Sequence, residues 1–398
     1  MSSPKVSGSS RRNFLAAGLV LPAAASASRS TDSPQQQPQA PARLSSGPAF
    51  QYRVLGKTGL KVTSVGFGCM ITSDGSVVER AADLGITYFD TARGYQQGNN
   101  ERMVGAALKN KRKDITLSTK THAGNRADAL KDLDTSLKEL GTDHVDIWYL
   151  HAKQRPEEVT DELIDAQQTA KKAGKIRFAG VSSHSGQPTL IPFLAKHEKV
   201  DVILTAYNFT MEPVMTSVIE EAVKAGKGVV AMKIMAGGAG GGRGRGGPNP
   251  NAAKLKAPGA MAAVLRWVTR NPNIHTTVPS MTDMDQLDEN IRAGVQAFSD
   301  SDAKLLAAHR ELIRPIYCNM CGQCDGMCPK GLPVQDVLRF ATYAEGYGQF
   351  ALGRERFQEL SAEHANVRCG ECPKCTVQCP HGVQVVGRLI HAQELFAC

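Results

Sequence analysis

Two cysteine quartets at one end of the chain constrain its fold more than any other feature. Cys318, Cys321, Cys324 and Cys328-Pro329 spell C-x2-C-x2-C-x3-C-P, and Cys369, Cys372, Cys375 and Cys379-Pro380 spell it again at an offset of 51 residues. The same offset joins Gly331 to Gly382, Val334 to Val385 and Leu338 to Leu389. The repeat therefore covers a structural unit, a ligand loop feeding a helix, and not the thiols alone. A disulfide scaffold would spread its cysteines through a small domain. Here eight of the ten cysteines crowd between residues 318 and 379, which is the habit of a metal site.

The spacing is the bacterial ferredoxin run. Three close cysteines clasp one [4Fe–4S] cubane, and the fourth, held by its proline, ligates the other cluster. One cluster is accordingly expected on Cys318, Cys321, Cys324 and Cys379, the second on Cys369, Cys372, Cys375 and Cys328. Structural zinc, the alternative, typically uses two separated pairs. The stretch between the quartets reads helical and resembles the α-helical ferredoxin domains, so residues 299–398 are expected to form a small, mostly helical iron–sulfur domain. Cys69 reads as a buried structural thiol, with substrate contact the minor option.

The N-terminus carries an address. SRRNFL (10–15) precedes AAGLVLPAAASA and the small-residue site Ala25-Ser26-Ala27, the layout of a secretory signal over residues 1–27. Arg11-Arg12 resembles the twin-arginine export motif, which makes the translocation machinery an expected partner and the periplasm, or another exported location, the expected destination. Residues 28–49, rich in Ser, Pro and Gln, read as an unfolded linker. No later segment offers 18 consecutive apolar residues, so the mature form is not expected to span a membrane. The 47 basic and 38 acidic residues leave a net +9, but the basic residues are scattered, and nucleic-acid binding gains no support from them.

Between linker and quartets, over residues 50–298, short β-branched or aromatic runs alternate with amphipathic stretches. Strands are expected at 61–68, 87–92, 115–121, 145–152, 176–183, 201–209, 229–235 and 275–281, with helices at 127–141, 161–175 and 217–228 between them. Eight strands alternating with helices over about 250 residues predict an α/β fold, the (β/α)8 TIM barrel. The open doubly wound sheet, the competing architecture, should carry G-x-G-x-x-G after its first strand, and GFGCM does not qualify.

Barrel chemistry sits where the strands end. The second strand delivers Asp90 and its loop Tyr95, the third Lys120 and the fourth His151. A Lys beside a Tyr favours the phenolate, a carboxylate orients the Lys, and a His can hold a substrate oxygen, a set suited to protonating a carbonyl oxygen. YRVLGKTGLKVTSVGFG, GITYFDTARGYQQGNNERMVGAAL, STKT and YLHA together resemble the aldo-keto reductases over about residues 50–295. The resemblance implies a catalytic tetrad of Asp90, Tyr95, Lys120 and His151, with Tyr95 as general acid–base, acting on a carbonyl or alcohol substrate.

It also implies a nicotinamide dinucleotide across the mouth. Ser182-Ser183 falls where the family has Ser-Asn on the carboxamide, and Leu204 replaces a usual Gln, with Asn208 just beyond. Met232 stands for a stacking Tyr, and Glu289 and Asn290 survive as adenine contacts. The Lys and Arg that would grip a 2′-phosphate are Ser280 and Gln286, so NAD(H) is expected over NADP(H) if a nicotinamide binds. The glycine run 237–247, with Arg243 and Arg245, reads either as a mobile lid or as an insertion without a fold.

Two functions compete on this evidence. One is an exported reductase whose clusters connect it to a redox partner protein. The other is an electron-transfer or redox-partner protein whose barrel is mainly a scaffold. Nicotinamide moves two electrons together and each cluster one, and no flavin motif is present to mediate.

Overall fold

A computed structural model describes residues 49–211, 213–238 and 250–396. The export signal, most of the linker, the glycine run beyond Gly238 and Cys398 lie outside these residues.

Ten strands are present among them. β1 (Tyr52–Val54) and β2 (Lys61–Thr63) form an antiparallel hairpin. β3 (Phe67–Gly68), β4 (Tyr88–Asp90), β5 (Thr116–Thr121), β6 (Val145–Leu150), β7 (Ile176–Ser183), β8 (Val202–Ala206), β9 (Gly228–Met232) and β10 (Thr276–Thr277) form one parallel sheet in chain order. A parallel bridge from Val65 to Thr277, with Gly66 N donating to Thr277 O at 2.8 Å, joins its two ends into a barrel. The helices are α1 (Gly75–Asp83), α2 (Asn99–Leu108), α3 (Arg126–Leu140), α4 (Asp161–Lys172), α5 (Gln187–Lys196), α6 (Val214–Lys224), α7 (Pro250–Leu255), α8 (Ala260–Thr269), α9 (Met284–Gly294) and α10 (Asp300–Ile313). Four more follow: α11 (Val334–Glu345), α12 (Phe350–Gln358), α13 (Ala362–Ala365) and α14 (Val385–Phe396). No described helix is long and apolar enough to cross a membrane.

The strand expected at 61–68 is divided in the structure. Its first three residues pair with β1, and only Phe67–Gly68 enters the barrel. Gly66 lies at the break, where a Cβ would come within 2.8 Å of Thr277 O and 2.9 Å of Tyr88 O. Below the barrel, Leu55, Leu60 and Val62 of the hairpin fill its base and join an inner core with Tyr88, Ile147, Tyr149, Val202, Leu204 and Val230. Each such side chain, fully buried, contributes about 1.5–3 kcal/mol. The helices end on expected chemistry: Asn125 caps α3 by accepting from Asp128 N, and Gly141 stops it at φ 63°.

The C-terminal segment packs back onto this frame. Arg266 of α8 clasps Asp302 of α10 through two bonds, at 2.9 and 2.6 Å. The repeated positions Val334, Leu338, Val385 and Leu389 meet in one small core, against which all of Cys318, Cys324, Cys328, Cys369, Cys375 and Cys379 pack. Ile71 of the barrel, just after β3, shares another core with Phe340, Tyr343 and Tyr347. The segment thereby roofs the barrel mouth.

Candidate active site

Asp90 closes β4, and Lys120 and His151 stand at the ends of β5 and β6. Parallel register brings them together beneath the C-terminal roof. Lys120 Nζ donates to Asp90 Oδ2 at 2.6 Å and to Thr91 O at 2.6 Å, and lies 3.4 Å from the Tyr95 hydroxyl. Ser118 Oγ holds the other Asp90 oxygen at 2.7 Å. Tyr95 occupies a tight turn whose next residues, Gln96 and Gln97, have φ of 49° and 55°. Left-handed backbone costs about 1–2 kcal/mol per non-glycine residue. Gln96 secures the turn by donating to Thr72 O at 2.8 Å.

Three imidazoles share the mouth. His151 stacks on His122 at 3.9 Å between centroids, meets Tyr95 edge-on at 5.9 Å, and lies 6.2 Å from His184. His151 Nδ1 and His184 Nδ1 are buried without a hydrogen-bond partner. Burial drives His151 and His184 well below the usual imidazole range, and the cations around them add to it. His122, although open to the cavity, is pushed down to about 4 by the protein mass around it and by Arg356. All three are neutral near pH 7.

Burial and the Asp90 carboxylate push the Tyr95 phenol well up. Burial first, and then Asp90, outweigh the lowering expected from Lys120. Burial in turn lowers Lys120, with Asp90 opposing.

A cavity of about 600 Å³ opens over this group, lined below by Tyr95, His122, His151 and His184 and above by Arg339, Tyr343 and Arg356 of α11 and α12. Burial would raise the Tyr343 phenol, but Lys233, Arg339 and Arg356 outweigh it and hold it below its ordinary value. His122 and His184 were missed in the sequence, although their places just after β5 and β7 were a signal that could have found them. Arg339, Tyr343 and Arg356 carried no such signal, since they come from a helical segment whose placement over the mouth no motif announces.

Of the residues expected to hold a nicotinamide, Met232 and Ser280 line a cleft beside Asp90 and Tyr95, together with Ile234 and Val278. That apolar wall with a polar edge fits a nicotinamide ring. Ser182 and Ser183 are engaged within the barrel, Ser182 Oγ accepting from Ala152 N at 2.9 Å and Ser183 Oγ donating to Ser185 O at 2.7 Å. Asn208 donates to Lys233 O and the Tyr317 hydroxyl instead of lining the cleft. Leu204 belongs to the inner core, which explains an apolar residue there. Glu289 and Asn290 lie on α9, the first exposed and the second buried. Gln286 accepts from Thr282 N and donates to Asp283, so its side chain is already engaged.

A profile described as the aldo/keto reductase family matches residues 73–311. The chain belongs to the aldo/keto reductase family. Members of this oxidoreductase family are typically NAD(P)(H)-dependent. The chain is 28% identical to the oxidoreductase YqkF of Bacillus subtilis over 65% of its own length and 95% of that protein. It is 27% identical to the L-galactose dehydrogenase of Arabidopsis thaliana over 67% of its length and 95% of that protein. Among solved structures, an aldo-keto reductase of Bacillus halodurans in its holo form aligns with a TM-score of 0.55 at 26% identity, covering 69% of this chain and 98% of that one. The family match stops before α11 and α12, so the aldo/keto reductase barrel carries here a roof beyond the matched part.

The cysteines gather in two sets that cross the quartets. The thiols acting on Cys318 are Cys324, Cys321 and Cys379, and those acting on Cys369 are Cys372, Cys328 and Cys375. Burial first, and these neighbours next, raise Cys318 to about 12 and Cys369 to about 11. Thiols crowded in this way ionise together only around a cation. Among the described residues, no three metal-binding side chains converge closely enough for a single ion. Each set offers four thiols, the donor type and number that a [4Fe–4S] cluster takes.

Proposed function

We propose that this aldo/keto reductase is an exported carbonyl reductase linked through two [4Fe–4S] clusters to a redox partner protein. The observation that carries the reading is the convergence of Asp90, Tyr95, Lys120 and His151 beneath the cavity that α11 and α12 roof.

Tyr95 is the general acid. Its raised pKa keeps the phenol protonated, so its hydroxyl can give a proton to a carbonyl oxygen in the cavity. The Lys120 ammonium, 3.4 Å away, stabilises the phenolate left behind, and Asp90 keeps that ammonium charged and aimed. Neutral His151 orients the substrate oxygen. Met232, Val278 and Ser280 would hold a nicotinamide, whose chemistry would be hydride donation to a carbonyl carbon. Ser280 and Gln286 offer a 2′-phosphate no cation, which favours NAD(H).

The clusters would be held by Cys318, Cys321, Cys324 and Cys379, and by Cys369, Cys372, Cys375 and Cys328. They would supply one-electron transfer at the protein surface. Arg11-Arg12 and the Ala25-Ser26-Ala27 site support twin-arginine export, a route that carries proteins already folded around such groups.

Anaerobic purification with cofactor extraction tests this directly. Stoichiometric nicotinamide and NADH-dependent carbonyl reduction, abolished in Tyr95→Phe, support the enzyme. The second reading, an electron-transfer protein with a scaffold barrel, is favoured by the internal engagement of Ser182, Ser183 and Asn208. An empty barrel with unchanged cluster redox activity in Tyr95→Phe would establish it.

A further inference from the structure

We propose that the cavity under α11 and α12 is a subsite for an anionic group of the substrate, a carboxylate or a phosphate, and that Arg339 and Arg356 are its specificity-determining residues. The inference deepens the carbonyl-reductase reading and rests on it for the reacting end of the substrate.

Both guanidiniums line the cavity whose floor is Tyr95, His122 and His151. A molecule presenting its carbonyl to Tyr95 therefore extends toward them. Arg339 gives one Nη to Asp336 at 2.8 Å, while its Nε is buried with no partner. That Nε is out of reach of the cavity, so a ligand oxygen would be met by the remaining Nη donors. Arg356 gives Nη1 to Glu359 at 2.8 Å, and a guanidinium retains further N–H donors after one such bond. The carboxylates of the cavity are Glu355 and Glu359. Glu359 is paired with Arg356, and Glu355 accepts from Gln97 at 3.5 Å. Lys233 lines the neighbouring cleft and sits 4.8 Å from the Tyr343 ring, a residue of this cavity's wall. Neutral imidazoles line the floor and add no charge of their own. The volume, about 600 Å³, accommodates a small aromatic or sugar-sized acid.

Position strengthens the argument. Arg339 and Arg356 belong to the roof, beyond the part of the chain that matches the aldo/keto reductase family. The barrel supplies the proton-handling group, and the appended segment chooses what may reach it.

The experiment uses the anaerobically purified holoprotein with 4-carboxybenzaldehyde, its methyl ester and 4-formylphenyl phosphate. These probes share a reacting aldehyde and differ in the distal group. We expect kcat/KM for the carboxylate, the phosphate or both to exceed that of the ester by about tenfold or more, through KM, as charge-assisted hydrogen bonds allow. Whichever acid leads identifies the anion. In Arg339→Gln and Arg356→Gln this preference should collapse toward unity. Arg356→Gln serves if Arg339→Gln does not fold, since Arg356 is only partly buried. Calorimetric binding of terephthalate provides a readout that needs no turnover. Binding that is lost in the arginine variants without any aldehyde reduction would uphold the subsite and overturn the reductase reading. Equal kcat/KM for acid and ester in the unaltered protein, or no terephthalate binding, would overturn the subsite.

Discussion

Gly346, at the end of α11, and Gly237, after β9, meet backbone to backbone. A Cβ on Gly346 would stand 1.8 Å from the Gly237 carbonyl oxygen. This contact seats the roof on the barrel and admits no side chain. Gly346→Ala should therefore lower stability by about 1–3 kcal/mol, read as a lower midpoint in denaturant. Gly387→Ala, at an exposed position of α14 where a Cβ meets nothing within 4 Å, is the matched control and should stabilise by up to about 1 kcal/mol.

Tyr95→Phe should reduce carbonyl turnover by roughly 100-fold or more while leaving the fold intact. The unaltered enzyme should show a flat pH profile for reduction between pH 6 and 9. Tyr95 is shifted upward from 10 and stays protonated throughout, while His122, His151 and His184 are shifted downward and stay neutral. A rate inflection near pH 6.5 would contradict this. The same shifts set the acid limit of stability. Below about pH 6.5 the unfolded chain takes up protons that the folded imidazoles refuse, so stability falls as pH drops from there toward 4.

Lys120→Met should behave differently from Tyr95→Phe. It strands the Asp90 carboxylate, whose side chain is 5% exposed, and breaking such a pair costs about 3–5 kcal/mol. Loss of thermal stability in Lys120→Met but not in Tyr95→Phe would separate structural from chemical roles. Equal stability of the two variants would deny Lys120 its bracing part.

If the proposed clusters form, Cys379→Ser should remove roughly half of the iron and alter the signal of the one assigned to Cys318, Cys321 and Cys324, although Cys379 lies in the other quartet. Iron analysis with electron paramagnetic resonance of the reduced protein decides the matter. Loss of the Cys369 set instead would refute the crossed arrangement.

Glu345→Ala should unsettle the roof from its far side. Glu345 joins α11 to α14 through Arg388 at 2.5 Å and His391 at 2.6 Å, and the Arg388 side chain is 6% exposed. Removal leaves a buried cation unpaired, a loss of about 3–5 kcal/mol. Limited proteolysis near residues 345–390 would report it.

The barrel was legible because alternation of strand and helix is written locally: seven of the eight expected barrel strands correspond closely to β4 through β10. The first, at 61–68, was misread because its apolar pattern runs on through Gly66 while a tertiary approach by Thr277 and Tyr88 divides it. The tetrad was legible because each member sits at or beside a strand end. The internal partners of Ser182, Ser183 and Asn208 were not legible, because Ala152, Ser185 and Lys233 offer backbone groups, which a sequence does not advertise. The roof was unreadable for a related reason: α11 and α12 show where they are helical, not what they cover.

The helices that cover the mouth are strung between the two thiol loops, Cys328 on one side and Cys369 on the other. If those loops are held by iron, oxidative damage would slacken the ceiling before it reached the barrel. Oxygen would then blunt the protein's discrimination among substrates first and its proton chemistry only later, so that a damaged molecule becomes careless before it becomes inert.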